Sequence, residues 1–258
     1  MNHITEVKEK GYTILEGVFS DEYVKGLLSC VKDHYEYYKD KSHSDVPRLN
    51  TDQPNIYNLQ NKGILYTKCL LDIQELEDVL IHFLNDKWYK QIPLDLPNYQ
   101  IRSFGARSSR GALPFHIDSF IPYVGDEVLG MQVAIALEDQ TEENGCTLVS
   151  PGSHQSGKYA PDIERKDAVA LTPKAGDVVI WDSRLWHGTT ENTTDNTRWA
   201  IIATFSRWWL KQHFDITGQL PAYIKRELSP KEQSILGFNS TPCKDEFTQI
   251  DMKRGYDA

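Results

Sequence analysis

Histidine and aspartate residues occur in this chain at a spacing that suits a metal site. His116 and Asp118 are separated by one residue, so on a strand both side chains would project from the same face. His187, much later in the chain, can supply a third ligand. Two imidazoles and one carboxylate can cover one face of Fe(II) and leave the opposite face open for a cosubstrate, oxygen or water. Arg198 follows His187 and could bind a dicarboxylate held there. The pattern predicts an iron(II), 2-oxoglutarate-dependent oxygenase.

The H-x-D triplet alone is weak evidence, because the chain contains three of them. The other two are His43-Ser44-Asp45, in a polar stretch, and His213-Phe214-Asp215, after the last predicted strand. Only His116-Ile117-Asp118 has apolar sequence on both sides. His154 is the rival third ligand, but it follows a Pro-Gly turn and is predicted to lie in a loop. His187 is predicted to end a buried strand that begins after Gly176-Asp177, which would aim its imidazole inward.

The elements that must position these residues are mostly short strands. Turn signals rich in Gly, Pro and Asn separate them, which is typical of a double-sheet jelly roll or a sandwich. Two amphipathic helices precede the strands, one after the capping pair Ser20-Asp21 and one at about 72–85, and residues 40–56 are predicted to form a loop. A third helix is predicted from Ser229 to Gly237. A short strand and turn are predicted at 11–19, and further strands at 99–104, 131–137, 147–149, 168–171, 178–181 and 199–205.

Composition narrows the class of partner. The chain has 258 residues and a net charge of −9, which disfavours nonspecific binding to nucleic acid or to an anionic membrane. Four widely spaced cysteines include no C-x-x-C pair, so they predict free thiols in a reducing compartment. The N-terminal residues lack the apolar core of a signal peptide. We therefore expect a cytoplasmic protein that acts on a small molecule, with no membrane and no nucleic-acid partner.

Several motifs together resemble the phytanoyl-CoA dioxygenase (PhyH-like) family of Fe(II)/2-oxoglutarate oxygenases. They are GYTILEGVFS near the start, LPFHID, NGCTL leading into PGSH, GDVVIWDSRLWHG followed by Asn192 and Arg198, and SPKEQSILGF. The resemblance spans about residues 11–238. It implies a double-stranded β-helix (jelly-roll, cupin-like) core with flanking N-terminal and C-terminal helices, and an enzyme that uses Fe(II), 2-oxoglutarate and O2.

The resemblance also assigns roles to individual residues. It implies His116, Asp118 and His187 as the catalytic iron ligands, and Arg198 as the partner of the distal carboxylate of 2-oxoglutarate. Thr189 falls where the family places a hydroxyl that helps to bind this carboxylate, and Lys62 matches a lysine that reaches the cosubstrate in some members. Some members carry a Trp at the position of Ala134. The aspartate ligand is retained, which favours hydroxylation or a related oxidation over halogenation.

The substrate is the least defined part of the prediction. Arg102 and Arg107 could meet an anionic substrate group, and Phe104 could line the pocket. A role in secondary or specialised metabolism is expected from the breadth of the family. Two alternatives stay open: a cupin-like metalloenzyme that does not use 2-oxoglutarate, and a catalytically inactive jelly-roll binding module. We expect one domain over 1–258, with a helical part at about 1–95, a jelly-roll core at about 96–210 and an extension at 211–258.

Overall fold

Strands dominate the centre of the chain in the computed structural model, which describes residues 2–39, 54–88, 96–161, 167–241, 245 and 247. Within these residues ten strands form two antiparallel sheets. They are β1 (Tyr12–Leu15), β2 (Asn55–Tyr57), β3 (Tyr99–Ser108), β4 (Leu113–His116), β5 (Gly130–Ala136), β6 (Thr147–Val149), β7 (Val169–Leu171), β8 (Val178–Asp182), β9 (His187–Thr189) and β10 (Trp199–Arg207). The six-stranded sheet has the order β1-β8-β5-β10-β3-β2, and the four-stranded sheet has the order β4-β9-β6-β7. The predicted mainly-β fold class is confirmed.

The segment between β8 and β9 differs from the prediction. One long strand was expected to run to His187, but β8 ends at Asp182 and a turn separates it from β9, which begins at His187. The backbone N–H of Leu185 donates to the carbonyl of Asp182 at 2.8 Å and closes this turn. The two strands then belong to different sheets. The apolar run that suggested one strand therefore contains a change of sheet.

Seven α-helices lie in the described residues: α1 (His3–Lys10), α2 (Asp21–Tyr38), α3 (Ile64–Leu71), α4 (Gln74–Leu84), α5 (Ile216–Gln219), α6 (Ala222–Glu227) and α7 (Pro230–Ile235). Ser20 caps α2, as the sequence predicted, and the helix predicted from Ser229 is α7, on which Ser229 and Glu232 form a capping box. α1, α3, α5 and α6 were not predicted. α1 buries only Val7, α3 is apolar on most of its surface and so shows little amphipathic period, and α5 and α6 have only four and six residues. None of the described helices is both long enough and apolar enough to cross a membrane.

The predicted loop at 40–56 is only partly tested. Residues 40–53, and with them the triplet His43-Ser44-Asp45, lie outside the described residues. Asn55 and Ile56 were assigned to the loop, but they belong to β2, which pairs with β3 so that Ile56 faces Ala106. Ile56 is 4 % exposed, so one buried apolar residue within a polar stretch marks the strand.

The described chain divides into two compact units. The first comprises Met1–Tyr57, Gly105–Asp126 and Gln132–Ile202, and the second comprises Asn58–Phe104, Glu127–Met131 and Ala203–Ala258. The prediction of a single domain with the boundaries given above stays a prediction.

The first unit contains the whole four-stranded sheet and an apolar cluster. Its buried members are Ala134, Val149, Leu171, Val179, Trp181 and Leu185, and Tyr12, Ile14 and Ile202 pack against them. β1 pairs with β8 in the register Tyr12 to Trp181, which places an N-terminal aromatic side chain beside this cluster. The cluster supports both ends of the turn that leads to His187, since Trp181 precedes the turn and Leu185 lies within it.

The second unit has its own buried contacts. Tyr99 and Phe205 meet edge to face, with ring centroids 5.7 Å apart. Glu232 on α7 is 3 % exposed and forms an ion pair with Lys68 on α3. Burial opposes ionisation of Glu232, but the hydrogen bonds from Lys68 and Ser229 lower its pKa overall. The ion pair therefore joins α3 to α7 within this unit.

Candidate metal centre

His116, Asp118 and His187 come together in the first unit. Each offers one ligand atom, and these atoms all lie within 4.8 Å of one another. Nε2 of His187 is 3.2 Å from Oδ2 of Asp118, and Nε2 of His116 is 3.6 Å from Oδ1 of the same carboxylate. Two imidazoles and one carboxylate therefore point at a common centre. The structure thus brings together the three residues that the sequence predicted as iron ligands, and their role as ligands stays a prediction.

Strand pairing places the two histidines opposite each other. His116 on β4 faces His187 on β9, and their ring centroids are 4.2 Å apart. The register shifts by one residue between Leu113 and His116, so β4 contains a bulge before the first ligand. The sequence argument assumed that His116 and Asp118 lie on one strand, but β4 ends at His116. Asp118 is positioned by the segment that follows.

Backbone carbonyls fix the orientation of both rings. Nδ1 of His116 is 2.9 Å from the carbonyl of Pro114, and Nδ1 of His187 is 2.9 Å from the carbonyl of Leu185. A carbonyl oxygen can only accept, so each Nδ1 must carry the proton in these hydrogen bonds. The Nε2 atom of each ring is directed at the common centre, where it donates to Asp118 when the ring is protonated and offers a lone pair to a metal ion when the ring is neutral. This is the arrangement typical of metal-binding histidines.

The charges of the three residues are strongly coupled. Burial alone would raise the pKa of Asp118, but the charge of His187 and hydrogen bonds from both histidines lower it far below its ordinary range. Burial alone would lower the pKa of His116, but its hydrogen bonds to Asp118 and Pro114 raise it overall. The carboxylate is therefore ionised at neutral pH, as a metal ligand must be.

The turn between β8 and β9 supports two of the three ligands. The carbonyl of Ser183 accepts hydrogen bonds from the backbone N–H groups of Asp118 at 2.8 Å and Ser119 at 3.0 Å. Two residues later, Leu185 provides the carbonyl that orients His187. One turn therefore places the Asp118 backbone and holds the His187 ring.

A buried ion pair stabilises this turn. Asp182 is 1 % exposed and Arg184 is 5 % exposed. Nε of Arg184 donates to Oδ1 of Asp182 at 3.0 Å, and Nη2 donates to Oδ2 at 2.7 Å. Nη1 donates to the carbonyl of Gly125 at 2.8 Å. Burial opposes the charge of Arg184, but Asp182 raises its pKa overall. Sequence reasoning gave this pair no role, because only the fold shows that the turn it closes holds two ligands.

A second turn holds the residue before His187. Oγ of Ser153 accepts from the backbone N–H of Trp186 at 2.9 Å, and the N–H of Ser150 donates to the carbonyl of Trp186 at 2.9 Å. Gly188 allows β9 to approach β4, because a Cβ there would lie 2.5 Å from the carbonyl oxygen of Leu113. The backbone on both sides of His187 is therefore fixed.

Arg198 is buried in the first unit, 5 % exposed. Its backbone N–H donates to Oγ of Ser108 at 2.8 Å, and Nη1 donates to Oε1 of Gln140 at 3.1 Å. Its Nε is buried and has no hydrogen-bond partner within the described residues. Burial lowers the pKa of Arg198 to about 10, and the positive charge of Arg107 contributes to this. The guanidinium remains charged at neutral pH, and its electrostatic partners include no carboxylate among the residues that the structure describes.

Thr189 lies two residues after His187 on β9, so both side chains project from the same face. Thr189 is 6 % exposed, and its Oγ1 accepts a hydrogen bond from the N–H of Leu113 at 3.0 Å. A hydroxyl has one proton and two lone pairs, so its proton remains available to an acceptor. Its position beside His187 is compatible with the predicted role.

The remaining predicted residues divide between the two units. Arg107 belongs to the first unit, and its positive charge lowers the pKa of both His116 and Arg198. Arg102, Phe104 and Lys62 belong to the second unit. Nε of Arg102 donates to the carbonyl of Lys211 at 3.0 Å, and Phe104 is 1 % exposed. Nζ of Lys62 donates to the carbonyl of Asn58 at 3.3 Å. Their predicted roles in substrate and cosubstrate binding stay predictions.

The rival histidines take no part in the group of three. His154 lies in a short 3-10 turn (Ser153–Gln155), where its Nε2 is 3.2 Å from the carbonyl of Lys8. His213 belongs to the second unit, and Asp215 of the same triplet caps α5. Of the two H-x-D triplets in the described residues, only His116-Ile117-Asp118 therefore belongs to the group of three.

The model of one protein family matches residues 7–200, and its description is phytanoyl-CoA dioxygenase (PhyH). This match covers the helical start, the four-stranded sheet, all three residues of the metal centre and Arg198. The chain belongs to the PhyH family. The resemblance noted in the sequence is confirmed.

Two curated relatives show how far the similarity extends in sequence. The uncharacterized protein Rv1501 of Mycobacterium tuberculosis is 33% identical over 146 residues, which cover 55% of this PhyH-family chain and 53% of the relative. Dioxygenase af480 of Aspergillus fumigatus is 30% identical over 139 residues, which cover 52% of this chain and 45% of the relative. The chain spans about half the length of these relatives.

Solved structures confirm the fold of this PhyH-family chain. HygX from Streptomyces hygroscopicus, with nickel and 2-oxoglutarate bound, matches with a TM-score of 0.64 at 15% identity over 81% of this chain and 88% of HygX. The epimerase SnoN from nogalamycin biosynthesis, in a complex with Fe3+, alpha ketoglutarate and nogalamycin RO, matches with a TM-score of 0.60 at 17% identity over 85% of this chain and 89% of SnoN. These likenesses confirm the jelly-roll core.

Proposed function

We propose that this PhyH-family protein is a non-haem Fe(II)/2-oxoglutarate-dependent dioxygenase that hydroxylates or otherwise oxidises a small molecule and releases succinate and CO2. The proposal rests on two features that occur together. One is the His116-Asp118-His187 group, and the other is the buried Arg198, whose charge has no carboxylate partner among the described residues. The first feature suits a divalent metal ion, and the second suits a dicarboxylate.

The residues fit a ferrous ion. Two histidines and one carboxylate on one side of a centre form the ligand set of non-haem Fe(II) oxygenases, which leaves other coordination positions open. Nε2 of each histidine is available, because Nδ1 is bound to a carbonyl. When bound, Fe(II) and 2-oxoglutarate supply the activation of O2 and the oxidation of a substrate C–H bond.

The protein's own residues would bind and orient. His116, Asp118 and His187 would hold the metal, and Arg198 would bind the distal carboxylate of 2-oxoglutarate through a planar, charge-assisted contact. The hydroxyl of Thr189 would donate its free proton to the same carboxylate. Burial of Arg198 and Thr189 would exclude water from this end of the cosubstrate, which strengthens each of these contacts.

For the substrate, the comparisons support a small molecule of secondary metabolism. The SnoN complex contains a natural product together with iron and alpha ketoglutarate, and a fungal relative is named a dioxygenase. The net charge of −9 disfavours a nucleic acid. We place the protein in the cytoplasm, since a reducing compartment suits both Fe(II) and the free thiols of Cys30, Cys69 and Cys146.

Among the predicted substrate residues, Arg107 has the strongest support. Its charge acts on both His116 and Arg198, so an anionic group that approached the metal centre would feel it. Arg102 already donates to a backbone carbonyl, and Phe104 is part of a buried core. Roles for Arg102, Phe104 and Lys62 are proposed on the basis of the sequence alone.

Succinate formation tests the proposed function. Purified protein is incubated with Fe(II), ascorbate and 2-oxoglutarate in air, and succinate is measured by mass spectrometry. We expect slow succinate formation without substrate. Asp118→Ala should abolish it, because loss of a direct ligand should weaken metal binding at least as much as loss of a supporting contact, which typically costs about 10–100-fold.

Asp215→Ala is the matched control, since it removes the aspartate of the other described H-x-D triplet. This variant should keep wild-type succinate formation, with a small loss of stability because Asp215 caps α5. Equal succinate formation by wild type and Asp118→Ala would contradict the proposed metal centre. Metal binding without any consumption of 2-oxoglutarate would favour the cupin-like alternative.

A further inference from the structure

Four large apolar side chains are exposed beside the metal centre. Phe120, Ile121, Val124 and Tyr159 have exposures of 62 %, 60 %, 72 % and 59 %. Three of them lie in the segment that begins directly after Asp118, and all four belong to the first unit. We call these four residues the apolar rim. A group of exposed apolar side chains on one surface usually marks a binding site.

The first segment of the apolar rim is held in a strained conformation. Phe120 has a φ of +63°, which is unusual for a bulky residue and strains the backbone. The conformation is fixed on its N-terminal side, where the N–H groups of Asp118 and Ser119 both donate to the carbonyl of Ser183. Oγ of Ser119 donates to the carbonyl of Ile121 at 2.9 Å. The backbone is thus constrained next to a metal ligand, and the apolar side chains stay at the surface.

A second segment completes the apolar rim. The hydroxyl of Tyr159 donates to the carbonyl of Phe120 at 3.0 Å. A Cβ at Gly157 would collide with Cγ1 of Val124, so the two segments are in close contact. Nε1 of Trp186, the residue before His187, donates to the carbonyl of Lys158 at 2.8 Å. Both segments are therefore joined to residues that adjoin metal ligands.

The charges near the apolar rim are balanced. The guanidinium of Arg184 lies 4.5 Å from the centre of the Tyr123 ring and is already paired with Asp182. Within residues 119–126 and 156–161 the exposed charged side chains are those of Asp126 and Lys158, which have opposite signs, and the next residue, Glu127, is paired with Lys87 and Arg207. The apolar rim therefore suits an uncharged part of a ligand, and Arg107 does not belong to it.

We propose that the apolar rim binds the hydrocarbon part of the substrate, so that the substrate of this enzyme is a small molecule with an uncharged, apolar body. The proposal rests on the proposed function, because it takes the His116-Asp118-His187 group as the reaction centre. It adds the class of molecule, which the metal ligands alone do not specify.

A matched pair of fluorophores tests the proposal. N-phenyl-1-naphthylamine is uncharged, and 8-anilino-1-naphthalenesulfonate has the same aromatic skeleton with one negative charge. We expect the wild-type protein to bind the uncharged fluorophore. Ile121→Ser combined with Val124→Ser should weaken this binding at least about tenfold, because both substitutions remove apolar surface that the fluorophore would bury.

Val169→Ser is the matched control. Val169 is 41 % exposed and lies at the start of β7, outside the apolar rim, so this variant should bind both fluorophores as wild type does. The proposal is overturned if Val169→Ser weakens binding as much as the double variant does. It is also overturned if the charged fluorophore binds more tightly than the uncharged one and the double variant leaves both unchanged.

Light scattering tests whether a second copy of the chain, and not a substrate, covers the apolar rim. A dimeric wild type that becomes monomeric in the double variant would overturn the proposal, because the apolar rim would then be an interface between copies. Fluorophore binding requires no turnover. If the protein binds the uncharged fluorophore through the apolar rim but forms no succinate, the result supports the apolar rim as a binding surface and contradicts the proposed dioxygenase reaction.

Discussion

Two buried guanidinium groups in the first unit have opposite electrostatic surroundings. Arg184 is 5 % exposed and forms three hydrogen bonds with the carboxylate of Asp182 and one with a carbonyl. Arg198 is equally buried, but the side-chain hydrogen bond that the structure gives it is to the neutral amide of Gln140. Burial opposes the charge in both places. The pKa of Arg184 is nevertheless raised, and that of Arg198 is lowered to about 10.

This difference indicates that the charge of Arg184 is structural and that the charge of Arg198 is available to a ligand. The carboxylate of Asp182 is the ion-pair partner of the Arg184 guanidinium, and this pair lies in the turn that positions Asp118 and orients His187. Arg198 keeps an unsatisfied buried Nε, and a buried charge without a partner is unfavourable. A dicarboxylate bound at Arg198 would supply the missing anion. The same residue type therefore stabilises the fold at one position, and at the other we propose that it binds the cosubstrate.

The largest effect is expected when the structural pair is broken. Asp182→Ala leaves the charge of Arg184 buried without its anion, and such a change typically costs about 3–5 kcal/mol of the free energy of unfolding. Urea denaturation of wild type and variant measures this loss. An unchanged free energy of unfolding would show that Asp182 does not stabilise the turn.

A double variant sharpens this result. Asp182→Leu combined with Arg184→Met removes both charges and replaces them with apolar side chains of similar size, which is often neutral for stability. We expect the double variant to be more stable than Asp182→Ala. A double variant that is less stable than the single one would show that packing, and not the unpaired charge, dominates.

Removing the other guanidinium should have the opposite effect on stability. Arg198→Met takes away a buried charge without a carboxylate partner, so the free energy of unfolding should stay the same or rise by about 1 kcal/mol. The same denaturation experiment, without 2-oxoglutarate, checks this prediction. A loss as large as that of Asp182→Ala would mean that Arg198 is also a structural residue.

A smaller effect is expected at Thr189. Thr189→Val removes the proton that the hydroxyl would donate to the cosubstrate, and a hydrogen bond of this kind contributes about 0.5–1.5 kcal/mol. The 2-oxoglutarate concentration at half-maximal succinate formation should rise by about 2–10-fold. Thr189→Ser keeps the hydroxyl and should behave as wild type. Equal effects of both substitutions would indicate that the methyl group matters and the hydroxyl does not.

A pH-dependent effect is expected at Lys62, a half-buried cation in the second unit. Burial lowers its pKa to about 8 from an ordinary value of 10.5, so the unfolded chain holds this proton more tightly than the folded protein does. The free energy of unfolding of wild type should therefore rise relative to Lys62→Met as the pH increases from about 8 to 10.5. Below about pH 8 the difference between the two proteins should be constant. A constant difference over the whole range would refute the lowered pKa.

Much of the fold was predictable because it depends on local patterns. The capping residues Ser20 and Ser229 and the alternation in the strands mark elements that the structure contains. α3 was missed because a helix that is buried on most sides has no polar face to reveal its period. The change of sheet after Asp182 was missed because the sequence is apolar on both sides of the turn, and the Asp182–Arg184 ion pair within it joins residues two positions apart, a spacing that carries no signal of its own.

The candidate site was predictable in its members but not in its construction. The residue types and order of His116, Asp118 and His187 were sufficient to predict that they come together. The support given by the carbonyls of Ser183 and Leu185 was not predictable, because every residue has a carbonyl and only the fold shows which ones face a ligand. The apolar rim was missed for a similar reason: Phe120 and Ile121 resemble core residues in sequence, and only the structure shows them exposed.

Binding of 2-oxoglutarate to Arg198 tests the central claim most directly. Isothermal titration calorimetry on Mn(II)-loaded protein measures this binding without turnover, with wild type, Arg198→Met and the exposed control Arg110→Met. The account predicts that Arg198→Met weakens binding at least about thirtyfold, since losing one partner of a buried charge pair costs about 2–5 kcal/mol. Arg110→Met should bind as wild type does. Equal affinity in wild type and Arg198→Met would contradict the claim that this guanidinium binds the cosubstrate.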